Sequence, residues 1–266
     1  MTLVNPHALA FDLDGTVYLH ETPLPGAVRL MRFLREQQVP HLFATNNSSA
    51  TAAGYVTRLN AMGIPVGSEQ VVTSNHVAAS HLLSLGTTRA YLVATEEVRA
   101  EYAAAGLDHD PDSPQAVLLT FDTTLDYTKI LAVAALLRSG IPYYATHPDL
   151  VCPMPGGPIP DCGSFAALFE AATGRTPIVL GKPSFAMADT IRSRLWSGAA
   201  AGPPVTFVGD RLYTDVRMAN DNGFTAVLTL TGEATESDLA GSDVKADLVV
   251  SGLDEFLDHL ATSMAT

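Results

Sequence analysis

His7-Ala8-Leu9-Ala10-Phe11-Asp12-Leu13-Asp14-Gly15 is an apolar run that ends abruptly on two acids and a glycine. His7 to Leu13 reads as a buried strand, because an apolar run with no polar alternation suits a strand covered on both faces. Outward from it the same grammar repeats. Ala27 to Gln37 reads as a helix, and Pro40 to Thr45 as a second strand that ends in Thr45-Asn46-Asn47-Ser48. Ser49 to Met62 reads as a helix closed by Gly63, and Val71 to Ser74 as a third short strand. Short apolar runs alternating with amphipathic stretches are the signature of βαβ units and a parallel sheet.

A second block follows. Arg89 to Thr95, Ala116 to Thr120 and Pro142 to Thr146 read as strands, with helices over Val98 to Ala105 and Tyr127 to Arg138. Met154 to Gly163 is loop-like by its proline and glycine content, and Ser164 to Thr173 is helical. The first pattern then resumes. Pro177 to Leu180 reads as a strand ending in Gly181-Lys182-Pro183-Ser184, and Phe185 to Trp196 as a helix. Val205 to Val208 is a strand ending in Gly209-Asp210, with a helix over Asp215 to Asp221. Thr225 to Leu230 and Asp247 to Val250 are strands, and Leu253 to Ala261 is the terminal helix. Four polar clusters thus sit at the carboxyl ends of expected strands: Asp12/Asp14, Thr45/Asn46, Lys182 and Asp210. In an open α/β sheet those ends line one crevice. The middle block carries no such cluster and reads as an inserted domain over it. The expected fold is α/β, a doubly wound, mostly parallel sheet formed by 1–78 and 178–266, with an α/β insertion at 79–177.

The bulk properties bound the partners. The chain has 266 residues, 47% of them hydrophobic, which is enough for a sizeable core. A formal net charge of −13 disfavours nucleic acid and anionic membrane surfaces. An anionic substrate would need a local cation. Two cysteines, Cys152 and Cys162, are too few for a disulfide framework and lack metal-ligand spacing. The N-terminus shows no basic segment followed by an apolar one, and no apolar run approaches about 18 residues. The expectation is a cytoplasmic protein with neither a signal peptide nor a transmembrane helix.

Crowded, partly desolvated carboxylates at Asp12, Asp14 and Asp210 would force protonation unless a cation relieved them. Oxygen-only ligands suit Mg²⁺, which also explains how an acidic protein could hold an anion. A calcium loop fails on spacing, since Gly15 is fourth and Pro23 twelfth from Asp12. A bland solvated turn remains the other reading of that tetrapeptide. Phosphoryl transfer needs an in-line nucleophile, charge neutralisation and a proton for the leaving oxygen. Asp12 can be the nucleophile and Asp14 the general acid and base. Thr45 and Asn46 offer donors to phosphate oxygens, and Lys182 offers a positive charge. Taken singly, Thr-Asn-Asn-Ser also suits a capped turn, Gly-Lys-Pro-Ser a helix start, and Gly209-Asp210 with Asp215 a capped helix. A P-loop is absent. The order and strand-end placement of all four clusters carry the reading.

With these residues in view, the chain resembles the haloacid dehalogenase superfamily of phosphatases. Phe11-Asp12-Leu13-Asp14-Gly15-Thr16 matches its first motif. Thr45 resembles the second, Lys182 the third, and Gly209-Asp210 with Asp215 the fourth. The segments around Thr45 and Lys182 are similar to the class IIA branch, with a Rossmann-like core and an α/β cap between motifs two and three. The resemblance implies Asp12 as nucleophile and metal ligand. It implies Asp14 as acid and base with its backbone carbonyl on the metal, Asp210 as a ligand, and Asp215 as support of that shell. His147 departs from the asparagine that relatives often carry. Substrate choice is expected near His147 to Asp149 and Asp122 to Leu125, and Arg211 and Tyr213 face either substrate or solvent. The expected activity is Mg²⁺-dependent hydrolysis of a small phosphorylated metabolite. A phosphotransferase or phosphomutase on the same scaffold shares the nucleophile, and a non-catalytic sensor of phosphometabolites is the rival from another class. A dehalogenase would need neither Asp14 nor Asp210. Relatives often dimerise through caps, so a homodimer is an expectation by resemblance.

Overall fold

The structure is a computed structural model that describes residues 7–196 and 202–264. Residues 1–6, on which part of the signal-peptide reading rests, lie outside the described residues. The chain divides into two compact units. One comprises the described residues of 1–45, 53–72 and 188–266; the other comprises 46–52 and 73–187.

The first unit is built on a six-stranded sheet. Its order is Leu248–Val250, Thr225–Thr229, Val205–Gly209, Ala8–Phe11, His41–Thr45, Val71–Thr73. Ala8–Phe11 is central and pairs in parallel on both sides, with Phe11 opposite Val208 and Phe43. All four of its residues are buried, the pattern expected of a strand covered on both faces. Helix Ala27–Glu36 buries Ala27, Leu30, Met31 and Leu34, one apolar stripe at helical spacing. The terminal helix Leu253–Met264 buries Leu253, Phe256, Leu257 and Leu260, and the Phe256 ring meets Phe11 edge-on at 6.4 Å. Truncating Leu30 or Phe256 to alanine in such a core costs about 2–5 kcal/mol.

The second unit carries its own parallel sheet, in the order Ile178–Val179, Tyr143–Ala145, Ala116–Leu119, Arg89–Val93, Asp108–His109. Tyr91, Val117, Leu119, Val133, Leu137, Tyr143 and Phe169 form its core beneath helices Tyr127–Arg138 and Cys162–Thr173. Both helices start on an aspartate whose side chain accepts a backbone N–H. Asp126 takes that of Lys129 at 2.8 Å, and Asp161 takes that of Cys162 at 2.6 Å.

The mostly parallel α/β architecture agrees with the reading of the chain, and several local elements differ. Ile178–Val179 pairs with Tyr144–Ala145 in the second sheet, so the strand before Lys182 does not belong to the first sheet. A two-residue edge strand with Ile178 exposed has no local feature that names its partner. Helix Ser74–Ser84 lies where the reading ended on a strand; Thr73 caps it by accepting from the His76 N–H. Its many small and polar residues give it little amphipathic contrast. Within the proline-rich stretch, Ile159–Pro160 pairs antiparallel with Val151–Cys152, and the following helix starts at Cys162 rather than Ser164. Asp215 sits in a π-helical turn, Leu212–Val216, ahead of helix Arg217–Asp221. A capping box of Thr235 and Asp238 starts the unanticipated helix Glu236–Gly241. Among the described residues no helix is long and apolar enough to cross a membrane.

Candidate active site

The first unit gathers acids at the carboxyl ends of adjacent strands. Asp12 directly follows Ala8–Phe11, is 5% exposed, and donates its N–H to the Val208 carbonyl at 2.8 Å. The chain then turns sharply, with the Thr16 and Val17 N–H groups returning to the Leu13 carbonyl. Gly15 makes the turn at φ +87°, and a Cβ there would stand 2.6 Å from Asp210 Oδ2. A side chain at Gly232 would collide with the same carboxylate. Two glycines therefore let the backbone close around Asp210, which the sequence places 195 residues beyond one of them and 22 before the other.

Asp210 is 2% exposed, and its carboxylate accepts from Thr16 Oγ1 at 3.2 Å and from the Glu233 N–H at 2.7 Å. Asp215, also buried, accepts the N–H groups of Asp210 and Arg211 at 3.2 and 3.1 Å. One carboxylate oxygen from each of Asp12, Asp210 and Asp215 lies within 4.8 Å of the others. Burial, then the charges of Asp12 and Asp215, hold the Asp210 carboxyl well above the usual carboxylate range, against the opposing Glu233 N–H and Arg211. Asp14 is pushed up to about 6 by desolvation and by Asp12, with Arg58, the Tyr18 hydroxyl and Arg211 opposing. That hydroxyl donates to Asp14 Oδ2 at 3.2 Å, and the Arg58 guanidinium lies 5.9 Å from the Tyr18 ring centre. The Asp14 carboxylate is not one of the three that converge; Asp215 is.

This donor set fits a hard divalent cation. Three buried carboxylates so close together repel one another, and an oxygen-bound dication removes that repulsion. Of the remaining candidates in this unit, Thr45 is buried at its strand end, Arg211 pairs with Glu233 at 3.0 Å, and Tyr213 is 42% exposed. Thr16, Tyr18, Arg58 and the Gly232-Glu233 turn were not singled out from sequence. Only Thr16, inside the first motif, carried any local signal.

The second unit holds the other predicted residues. Asn46 and Lys182 are 5% and 2% exposed and meet directly: the Lys182 N–H donates to Asn46 Oδ1 at 2.8 Å, and Asn46 Nδ2 donates to the Lys182 carbonyl at 3.1 Å. Asn46 Nδ2 also donates to Asp149 Oδ2 at 3.1 Å. Gly181 lies beneath the carboxamide, and a Cβ there would come 2.6 Å from Asn46 Oδ1. His147 is fully buried, with Nε2 3.2 Å from Ser48 Oγ and 3.5 Å from Asp161, and Nδ1 3.3 Å from Asp149. Asp122 is buried against Lys129 at 2.7 Å. Asp122, His147 and Asp149, in the two loops expected to choose substrate, are thus engaged inside their own unit.

A parallel α/β sheet with Asp12 and Asp210 at its strand ends, Asp215 in the turn beyond and a sharp glycine turn beside them marks a hydrolase of the acid-centred kind. A sequence profile described as haloacid dehalogenase-like hydrolase matches residues 9–108, and one described as HAD-hydrolase-like matches 179–256. The fold is shared with a 4-nitrophenylphosphatase of Thermotoga maritima at TM-score 0.90 and 39% identity, over 96% of this chain and 98% of that one. A glycerol phosphate phosphatase of Mycobacterium tuberculosis, solved in complex with magnesium, gives TM-score 0.85 and 31% identity over 96% and 78%. Dihydroxyacetone phosphatase of Corynebacterium glutamicum is 29% identical over 93% of this chain and 89% of its own. The chain belongs to the haloacid dehalogenase-like hydrolase family, and within it to the class IIA phosphatases.

Proposed function

We propose that the chain is a Mg²⁺-dependent phosphatase of small phosphorylated metabolites that works through an aspartyl phosphate on Asp12. The observation that carries this reading is the convergence of Asp12, Asp210 and Asp215 within 4.8 Å, the first two directly after neighbouring strands and the third in the turn beyond. Asp12, Asp210 and Asp215 would hold the cation together with the backbone carbonyl of Asp14. The ion would neutralise phosphate charge and act as Lewis acid.

The protein's own groups perform the transfer in two halves. An Asp12 carboxylate oxygen attacks phosphorus and the bond to the ester oxygen breaks. Asp14, held up to about 6, enters as the acid and gives its proton to that departing oxygen. The resulting Asp14 carboxylate then takes a proton from water, whose oxygen attacks phosphorus and releases inorganic phosphate and the Asp12 carboxylate. Lys182, with Thr45, is assigned to the charge on the phosphoryl oxygens. We assign substrate choice to the inserted 79–177 block, the cap of this family.

Relatives that are a dihydroxyacetone phosphatase, an acid sugar phosphatase and a D-glycerol 3-phosphate phosphatase favour triose, glycerol or sugar phosphates as the substrate class. The net charge of −13 disfavours nucleic acid as substrate. The test is phosphate release from a panel of phosphorylated metabolites, run with Mg²⁺ and with excess EDTA. Release that requires Mg²⁺, with water as sole acceptor, supports the reading. Undiminished release in metal-free buffer overturns the metal assignment. Preferential transfer to an added alcohol or sugar moves the chain to the phosphotransferases.

A further inference from the structure

We infer that Asp149 is a positioning residue for Lys182, acting through the side chain of Asn46. The inference rests on Lys182 serving the phosphate, as proposed above. A primary carboxamide has one strong acceptor and two N–H donors. In Asn46 all three are engaged within the second unit. Oδ1 takes the Lys182 N–H at 2.8 Å, and Nδ2 gives to the Lys182 carbonyl and to Asp149 Oδ2, both at 3.1 Å. The side chain therefore grips both backbone polar groups of Lys182. Its own main chain is fixed as well, since the Asn46 carbonyl accepts from Ser74 Oγ at 2.6 Å.

The grip works in only one orientation. Rotating the carboxamide by 180° would set Oδ1 against the Lys182 carbonyl and the Asp149 carboxylate, and Nδ2 against the Lys182 N–H. All three contacts would become repulsive. Of these partners, Asp149 alone contributes a side chain, and it is 2% exposed, so water does not screen the preference. Asp149 is itself held in place, because its carbonyl accepts from the Gly163 N–H at 2.8 Å. A bulkier residue at Gly181 would press on Asn46 Oδ1, so that glycine keeps room for the same arrangement. In this account the Asn46 side chain orders the lysine, and has no N–H left over for a phosphate oxygen. The Asp149 end of the His147 to Asp149 segment then bears on turnover of any phosphate ester, not on choice among them.

The experiment uses 4-nitrophenyl phosphate, a small generic ester, with inorganic phosphate and orthovanadate as inhibitors. Asp149→Ala is expected to lower kcat/KM and to weaken both inhibitors, by about 10- to 100-fold, because modest misplacement of a positioned group costs that much. Asp149→Asn can still present a carbonyl to Asn46 Nδ2 and is expected to restore most of the loss. Asn46→Ala should match Asp149→Ala, and the double variant should be no worse than either single one. Asp149→Ser, whose hydroxyl is too short to reach Asn46, gives the same reading where the alanine variant does not fold. Lys182→Met separates the two levels of the argument. If it is inactive while folded Asp149→Ala keeps wild-type inhibitor affinities and kcat/KM, the positioning role is wrong and the phosphatase reading stands. If Lys182→Met turns over like wild type, the role assigned to the lysine is wrong and the positioning role falls with it. Additive losses in the double variant also overturn the link between Asp149 and Asn46.

Discussion

The Thr16 hydroxyl donates to Asp210 Oδ1 at 3.2 Å, joining positions 194 residues apart in the chain. Thr16 belongs to the turn that follows Asp12, so this bond ties the turn after the proposed nucleophile to the carboxylate assigned to the metal. Thr16→Val preserves shape and removes the bond. The expected outcome is a Mg²⁺ requirement raised by about 10-fold or more, as for outer partners of metal ligands. The accompanying loss of stability should be on the order of 1 kcal/mol. Activity titrated against Mg²⁺ and a urea melt check the two parts separately.

Asp12→Asn should lower kcat by on the order of 10⁴-fold or more, since a neutral amide cannot attack phosphorus. The metal-free fold should not suffer. Part of the pressure on the Asp210 carboxyl comes from the Asp12 charge, and the substitution removes it. Equal or higher melting temperature with lost turnover is the expected pair of results. Near wild-type kcat would exclude a covalent intermediate at this position.

Adding Mg²⁺ to metal-free protein should raise the melting temperature. Three buried carboxylates lie within 4.8 Å of one another, and a bound dication would relieve their repulsion only in the folded state. At about 100 times the dissociation constant the stabilisation would be about 2.7 kcal/mol. Asp210→Ala should abolish most of that shift. A differential scanning measurement with and without Mg²⁺ decides it, independently of any substrate.

The second unit should weaken below neutral pH because of His109. Its Nδ1 accepts the Leu92 N–H at 3.0 Å, which requires that nitrogen to be unprotonated. Burial first, with Arg99 and Lys129, lowers its pKa below the ordinary histidine value of 6.5, and Asp110 opposes the shift. A depressed folded-state pKa means the unfolded chain takes up the proton first. Stability from this group is therefore complete above about 6.5 and declines as the pH falls from there through the folded-state value. In His109→Gln, whose carbonyl can still accept from Leu92, that part of the pH dependence should vanish. Urea midpoints at pH 7.5 and pH 5 compare the two proteins.

Much of the site was legible because its residues carry local marks. Asp12 and Asp14 end an apolar run, and Asp210 ends another with Asp215 one turn on. Lys182 stands between a glycine and a proline. The rest was not, because it depends on approach between distant segments. Nothing around Gly232 announces that a side chain there would strike Asp210, and nothing around Tyr18 announces its bond to Asp14. Thr45 and Asn46 look alike as donors at a strand end, but they belong to different compact units, and only Asn46 grips the Lys182 backbone.

By itself the order of residues determined the α/β class, the strand-end position of the four polar clusters and the family. These follow from periodicity, chain punctuation and short motifs, which are properties of neighbouring residues. The tertiary structure alone decided that Ile178–Val179 pairs in the second sheet, that Asp215 rather than the Asp14 carboxylate joins Asp12 and Asp210, and that the Asn46 carboxamide faces Lys182 and Asp149. Strand partners, desolvation and the repulsion between buried charges all depend on what packs alongside a residue, and no local stretch of chain contains that information.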